Sequence, residues 1–170
     1  MFSTGDCVVY GTNGVCRIEE IKAESFEGSV CDYYVLRPLT EGSSTTIFIP
    51  VNRENLVSQM LPLLSRDEIL SLLEDFPLSC DEWIENNKLR ADSFREILSS
   101  GDRRRILRLI HTIRCHRESQ EEKGRRLHVV DDTVLQKAES MILGEIACSL
   151  NITREEALSL ILRAIEKKKS

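Results

Sequence analysis

The chemically capable side chains are concentrated between residues 100 and 130. Nine Lys or Arg residues stand there against four acidic ones, a local net charge of +5 in a 170-residue chain whose overall charge is −5. At about 100° per residue, Ile106, Leu109, Ile110 and Ile113 form one apolar stripe of a helix. Arg104, Arg108 and His111 then project from the opposite side, Arg103, Arg105 and Arg114 flank the stripe, and Arg125-Arg126 follow in a loop. Guanidinium groups grip phosphate oxygens two at a time, and cations on one face release counterions from a nucleic acid. A merely solvated helix face would have the same composition, so the charge alone leaves both readings open.

Trp83, the only tryptophan, sits in Cys80-Asp81-Glu82-Trp83-Ile84, where the chain enters a helix. A lone Trp serves either as core filler or as a partly exposed contact. The tyrosines and Phe48 have the chemistry of an aromatic cage for a methylated amine, although a β core accounts for them more simply. Six cysteines are scattered without a C-x-x-C pair, which predicts reduced, partly buried thiols and no metal site. His111 and His116 are five apart, off the i,i+4 spacing that aligns two ligands on a helix. No Ser/His/Asp arrangement has local support, and Gly11-x-x-Gly14 lacks the strand–loop–helix setting of a phosphate loop. No active site or cofactor is expected.

These residues need two kinds of scaffold. Cys7–Tyr10, Val15–Ile21, Tyr33–Pro38 and Thr45–Pro50 read as short strands separated by Gly-, Asn- and Ser-rich turns. They predict a small antiparallel barrel or strongly bent sheet, whose exposed edges invite partners. From Leu61 the period becomes helical. Ser65-Arg66-Asp67-Glu68 is a capping box for a helix ended by Pro77, and a second helix starts near Asp81 or Lys88 and runs to Leu98. Asp102 caps a third reaching about Ser119, Asp131 or Asp132 caps a fourth reaching Leu150, and Thr153-Arg154-Glu155-Glu156 boxes a fifth. The fold class is α+β, with a β domain over 1–58 and a helical domain of about five helices over 59–170. The start of the chain lacks the features of a secretion signal, and no apolar run would span a membrane, so a cytoplasmic protein is expected.

The ordered set of motifs resembles the CarD family of bacterial transcription regulators. Gly5-Asp6-x-Val8-Val9-Tyr10-Gly11-x-x-Gly14-Val15 is similar to that family's opening, and Tyr33–Pro38 and Ile47–Val51 to its later strands. Leu98–Asp102 and Ala138–Ala147 continue the likeness through the helical half. The resemblance implies a Tudor-like N-terminal domain, shared with transcription-repair coupling factors, that binds the RNA polymerase β subunit. It also implies a helical domain on promoter DNA, in which a Trp acts as a minor-groove wedge and open-complex formation or stability is modulated. The expected polymerase contacts are Thr46, Ile47, Phe48 and Ile49. The expected DNA contacts are Trp83, Arg90, Arg104, Arg108, Arg114, Arg125 and Arg126. Gly11 replaces the family's Pro, Phe48 and Glu24 stand where basic residues occur, and the stretch from Trp83 to Gly101 is longer by about one turn. A protein–protein adaptor with a peptide-binding barrel and no DNA role is the alternative.

Overall fold

The computed structural model describes every residue except Glu27, Glu41, Pro77, Leu78 and Ser170. The chain separates into two compact units, Met1–Leu63 and Leu64–Ser170.

In the first unit, β1 (Cys7–Tyr10), β2 (Val15–Phe26), β3 (Ser29–Pro38) and β4 (Ile47–Pro50) develop from the four extended segments. A short helix, α1 (Glu54–Val57), and a fifth strand, β5 (Met60–Pro62), follow. All pairings are antiparallel, in the order β4-β3-β2-β1-β5. The turn after β1 closes at Gly14, whose φ of 70° is open to glycine and strained for other residues. Met60–Pro62, placed by the sequence reading at the start of the helical domain, is a strand because Val8, Val9 and Tyr10 of β1 pair with Pro62, Leu61 and Met60. The sheet is open rather than a closed barrel: β4 and β5 are its edges, and no pairing joins them among the described residues. Val8, Cys16, Ile18, Tyr34, Leu36, Ile49 and Met60 form the buried cluster on its inner face. Each such apolar side chain contributes about 1.5–3 kcal/mol by leaving water.

The second unit is helical: α2 (Arg66–Glu74), α3 (Asn87–Ser100), α4 (Arg103–Glu122), α5 (Val129–Leu150) and α6 (Arg154–Lys169). The Ser65 capping box forms as the sequence predicts: Glu68 N–H donates to Ser65 Oγ at 3.3 Å, and Ser65 N–H to the Glu68 carboxylate at 2.7 Å. Donation from the Ser65 N–H, and then from its hydroxyl, holds the Glu68 carboxyl below its usual range. The expected stop at Pro77 lies outside the described residues. Asp102 caps α4, accepting from Arg104 and Arg105 N–H at 3.0 and 3.1 Å. Thr153 and Glu156 form the reciprocal box of α6. The α5 cap differs from expectation. His128 takes that place, accepting from Val130 N–H at 3.3 Å, while Asp131 lies within the first turn, buried against Arg90. The core gathers Ile69, Phe94, Leu107, Ile113, Leu135 and Ile146, among others, from α2 through α5. Among the described residues no helix is long and apolar enough to cross a membrane.

Candidate functional site

Among the described residues the β4 strand pairs with one strand only, β3, with Val35 opposite Phe48 and Leu36 opposite Ile47. Alternation along it sends Ile49 into the core (1% exposed) and Phe48 outward (40% exposed). Lys22 of β2 lies over the Phe48 ring, 5.6 Å from its centre, and is itself bound to Glu24 at 2.8 Å and Glu20 at 3.4 Å. The Glu24 hydrogen bond raises the Lys22 pKa. Thr46 is exposed just ahead of the strand. Of the four residues expected at a polymerase contact, Phe48 and Thr46 therefore offer side chains, half-buried Ile47 offers part of one, and Ile49 has only its backbone outward.

The apolar stripe of α4 is buried where the periodicity puts it, with Leu107 and Thr112 added. Its arginines, however, meet carboxylates of neighbouring elements. Arg104 reaches Asp75 at 2.7 Å, Arg105 reaches Glu96 at 3.1 Å, and Arg108 lies 3.9 Å from Asp81. Arg114 binds Glu139 at 2.7 Å. Arg103 makes a two-pronged contact with buried Glu145, at 3.0 and 2.8 Å. Asp75, Asp81 and Glu96, all from the chain before α4, are thus folded back onto the basic helix, and Glu139 and Glu145 join them from α5.

Three of the four remaining cations gather elsewhere. Lys123, Arg125 and Arg126, after α4, are exposed and engage in no ion pair among the described residues. They line a polar hollow of about 400 Å³ together with Trp83, Arg90, His116 and His128. Four of the seven expected DNA contacts thus lie on one hollow, while Arg104, Arg108 and Arg114 do not line it. Within the hollow, Arg90 differs in kind from Arg125 and Arg126: it is 4% exposed, and Asp131 holds it bidentately at 2.9 and 2.8 Å. Half-buried Trp83 stacks on His116 with ring centres 3.6 Å apart and planes 3° from parallel. Phe94 meets its ring edge-on at 6.0 Å, and the Arg90 guanidinium lies 4.7 Å from its centre. Partial burial depresses the His116 pKa, favouring the neutral imidazole.

One cluster was missed in the sequence. The expectation of separate, reduced thiols fails at Cys80 and Cys115, which are joined as a disulfide. His111 stands beside them, its ring nitrogens 3.8 and 3.9 Å from Cys115 Sγ. It is half-buried against Phe76 rather than projecting from the solvent side of α4. The available signal was the i,i+4 spacing of His111 and Cys115, passed over in favour of the off-phase His111/His116 pair.

An open antiparallel sheet with an edge strand paired on one side, a buried apolar face and an outward aromatic is the build of a small protein-interaction module. Residues 2–61 match the family model of the CarD-like/TRCF RID domain. The match marks residues 2–61 as a CarD-like RNA polymerase-interacting domain and lies within the N-terminal unit. No curated protein matches the chain.

Proposed function

We propose that this chain is a cytoplasmic transcription regulator that holds the RNA polymerase β subunit through its N-terminal sheet and meets promoter DNA through its helical unit, altering open-complex formation or stability. The family match over residues 2–61 carries the reading. The open edge of β4 supports the manner of contact: a polymerase strand adds beside Ile47–Pro50 by β-augmentation, with the Tudor-like curvature of the family, and packs on Phe48. With Phe48 where the family has a basic residue, the contact is more apolar. Phe48→Glu should abolish capture of polymerase β subunit by the purified protein while the variant still unfolds cooperatively. Full capture by the folded variant would move the interface off this edge.

For DNA, the unpaired cations around the Trp83 hollow are better placed than the α4 stripe. Phosphate contacts at Arg125 and Arg126 need no ion pair broken, whereas Arg104, Arg108 and Arg114 must first leave Asp75, Asp81 and Glu139. Arg125→Ala and Arg126→Ala should each weaken promoter binding for all sequences alike and flatten the salt slope by about 0.9. The same pairing of the α4 arginines favours the adaptor reading with no DNA role. A double variant with the salt dependence of the wild type would decide for it.

A further inference from the structure

Cys80, His111 and Cys115 each place one ligand atom within 4.8 Å of the other two. The site is built from both sides. On α4, the i,i+4 spacing brings His111 and Cys115 onto one face, a turn apart. Cys80 comes from the segment before α3, and its register is fixed by the next residue, whose backbone N–H donates to the Thr112 hydroxyl at 2.9 Å. Cys80 is exposed while His111 and Cys115 are half-buried, so the cluster opens to water on one side.

We propose that the reduced chain binds one thiophilic divalent cation of the zinc class through the sulfurs of Cys80 and Cys115 and a ring nitrogen of His111. Tetrahedral zinc, with Zn–S near 2.3 Å and Zn–N near 2.0 Å, sets ligand atoms about 3.5–3.8 Å apart. The His111 nitrogens already stand 3.8 and 3.9 Å from Cys115 Sγ. The two Cα atoms are 7.0 Å apart, at the outer limit of what a disulfide spans and comfortable for two sulfurs sharing a metal. An imidazole beside the sulfurs is a third donor for which a disulfide has no use. The fourth position falls on the open side and goes to solvent.

The disulfide and the metal are alternative occupants of the same sulfurs. A dithiol reductant transfers two electrons and two protons to the Cys80–Cys115 bond and leaves as its own disulfide, giving two thiols. Metal binding then expels both thiol protons, and two thiolates with a neutral imidazole neutralise the dication. Either occupant ties the segment carrying Trp83 to α4. Only the reduced, metal-free chain lacks this sulfur tie, keeping the Asp81–Thr112 hydrogen bond and the Trp83–His116 stack.

The test is a cobalt titration of the full chain, reduced with a dithiol that is then removed without air. One equivalent should develop a thiolate-to-cobalt charge-transfer band that zinc displaces. Cys80→Ser and Cys115→Ser should lose the band while Cys148→Ser keeps it. His111→Ala should weaken zinc binding by more than the roughly 10- to 100-fold that loss of a ligand's supporting partner costs. Absence of the band in reduced wild type, or its survival in folded Cys80→Ser or Cys115→Ser, overturns the site. If the serine variants do not fold, the oxidised wild type replaces them: it must lack the band, and an equal band there also overturns the site.

Discussion

Removing the Arg90 guanidinium separates an interior clasp from a DNA contact in one variant. All five of its N–H donors are in use. Nε and Nη2 donate to the two Asp131 oxygens at 2.9 and 2.8 Å, and Nη2 also to Asn87 Oδ1 at 2.9 Å. Nη1 donates to the carbonyls of Ile84 and Glu85 at 2.8 and 3.3 Å. The Arg90 and Asp131 side chains are 5% and 4% exposed. Arg90→Ala therefore strands a buried carboxylate and frees two carbonyls, and breaking one partner of such a pair costs about 3–5 kcal/mol. In a unit of about a hundred residues each kcal/mol moves Tm by about 4–8 °C, so a fall of at least about 12 °C is expected. Arg90→Lys keeps the charge but cannot reproduce the fork, and should recover only part of the loss. The double variant Arg90→Met/Asp131→Leu removes both charges and should recover most of it. Urea and thermal unfolding, followed by circular dichroism and Trp83 fluorescence, read all three. An Arg90→Ala protein within about 1 kcal/mol of wild type, with a flattened salt dependence for DNA, would refute the clasp and restore Arg90 as a phosphate contact.

Trp83→Ala should cost stability toward the lower end of the about 3–5 kcal/mol typical of buried aromatics, because the ring is held by His116, Phe94 and Arg90 but only partly covered. A change below about 1 kcal/mol, beside a shortened open-complex lifetime, would instead make the ring a freely offered wedge. Burial, and then the nearby Cys7, pushes the Cys16 thiol from 9.0 to about 11. In the native protein Cys16 should be the last free cysteine to alkylate, and labelling as fast as Cys31 by peptide mass spectrometry would contradict this. Since the folded value is the higher one, Cys16 stabilises the sheet fully below pH 9.0, and that contribution should fade as pH rises toward about 11.

What was legible in the sequence was local. The capping boxes at Ser65 and Thr153, the Asp102 cap and the α4 stripe all depend on residues within one or two turns of each other, and all form as read. The motif-bearing strands carried enough ordered signal to bring out the family resemblance. The losses came where distant residues meet. Met60–Pro62 has no strand signature of its own and becomes a strand by pairing with β1. Asp131 looked like a helix cap because nothing nearby shows that Arg90, 41 residues earlier, claims it. The ion pairs of the basic helix were hidden because Asp75, Asp81, Glu96, Glu139 and Glu145 come from four other stretches of chain. Cys80 and Cys115 are 35 apart for the same reason.

These long-range ties converge on one irregular stretch. From Ser79 to Asn86 the chain has no helix or strand to hold it, yet it carries Trp83. Its position is set by side chains: Cys80 on Cys115, the Asp81 N–H on Thr112, and the Ile84 and Glu85 carbonyls on Arg90. A backbone without its own ladder moves when its anchors are changed, whereas a helix would resist. Trp83 takes part of its place from α3, where Phe94 meets its ring edge-on and the Arg90 guanidinium lies over it. It takes the rest from α4, through His116 stacked on one face and Cys115 one residue before it. The aim of Trp83 is therefore set jointly by α3 and α4, and α4 also carries two of the three sulfur and nitrogen donors of the proposed metal site.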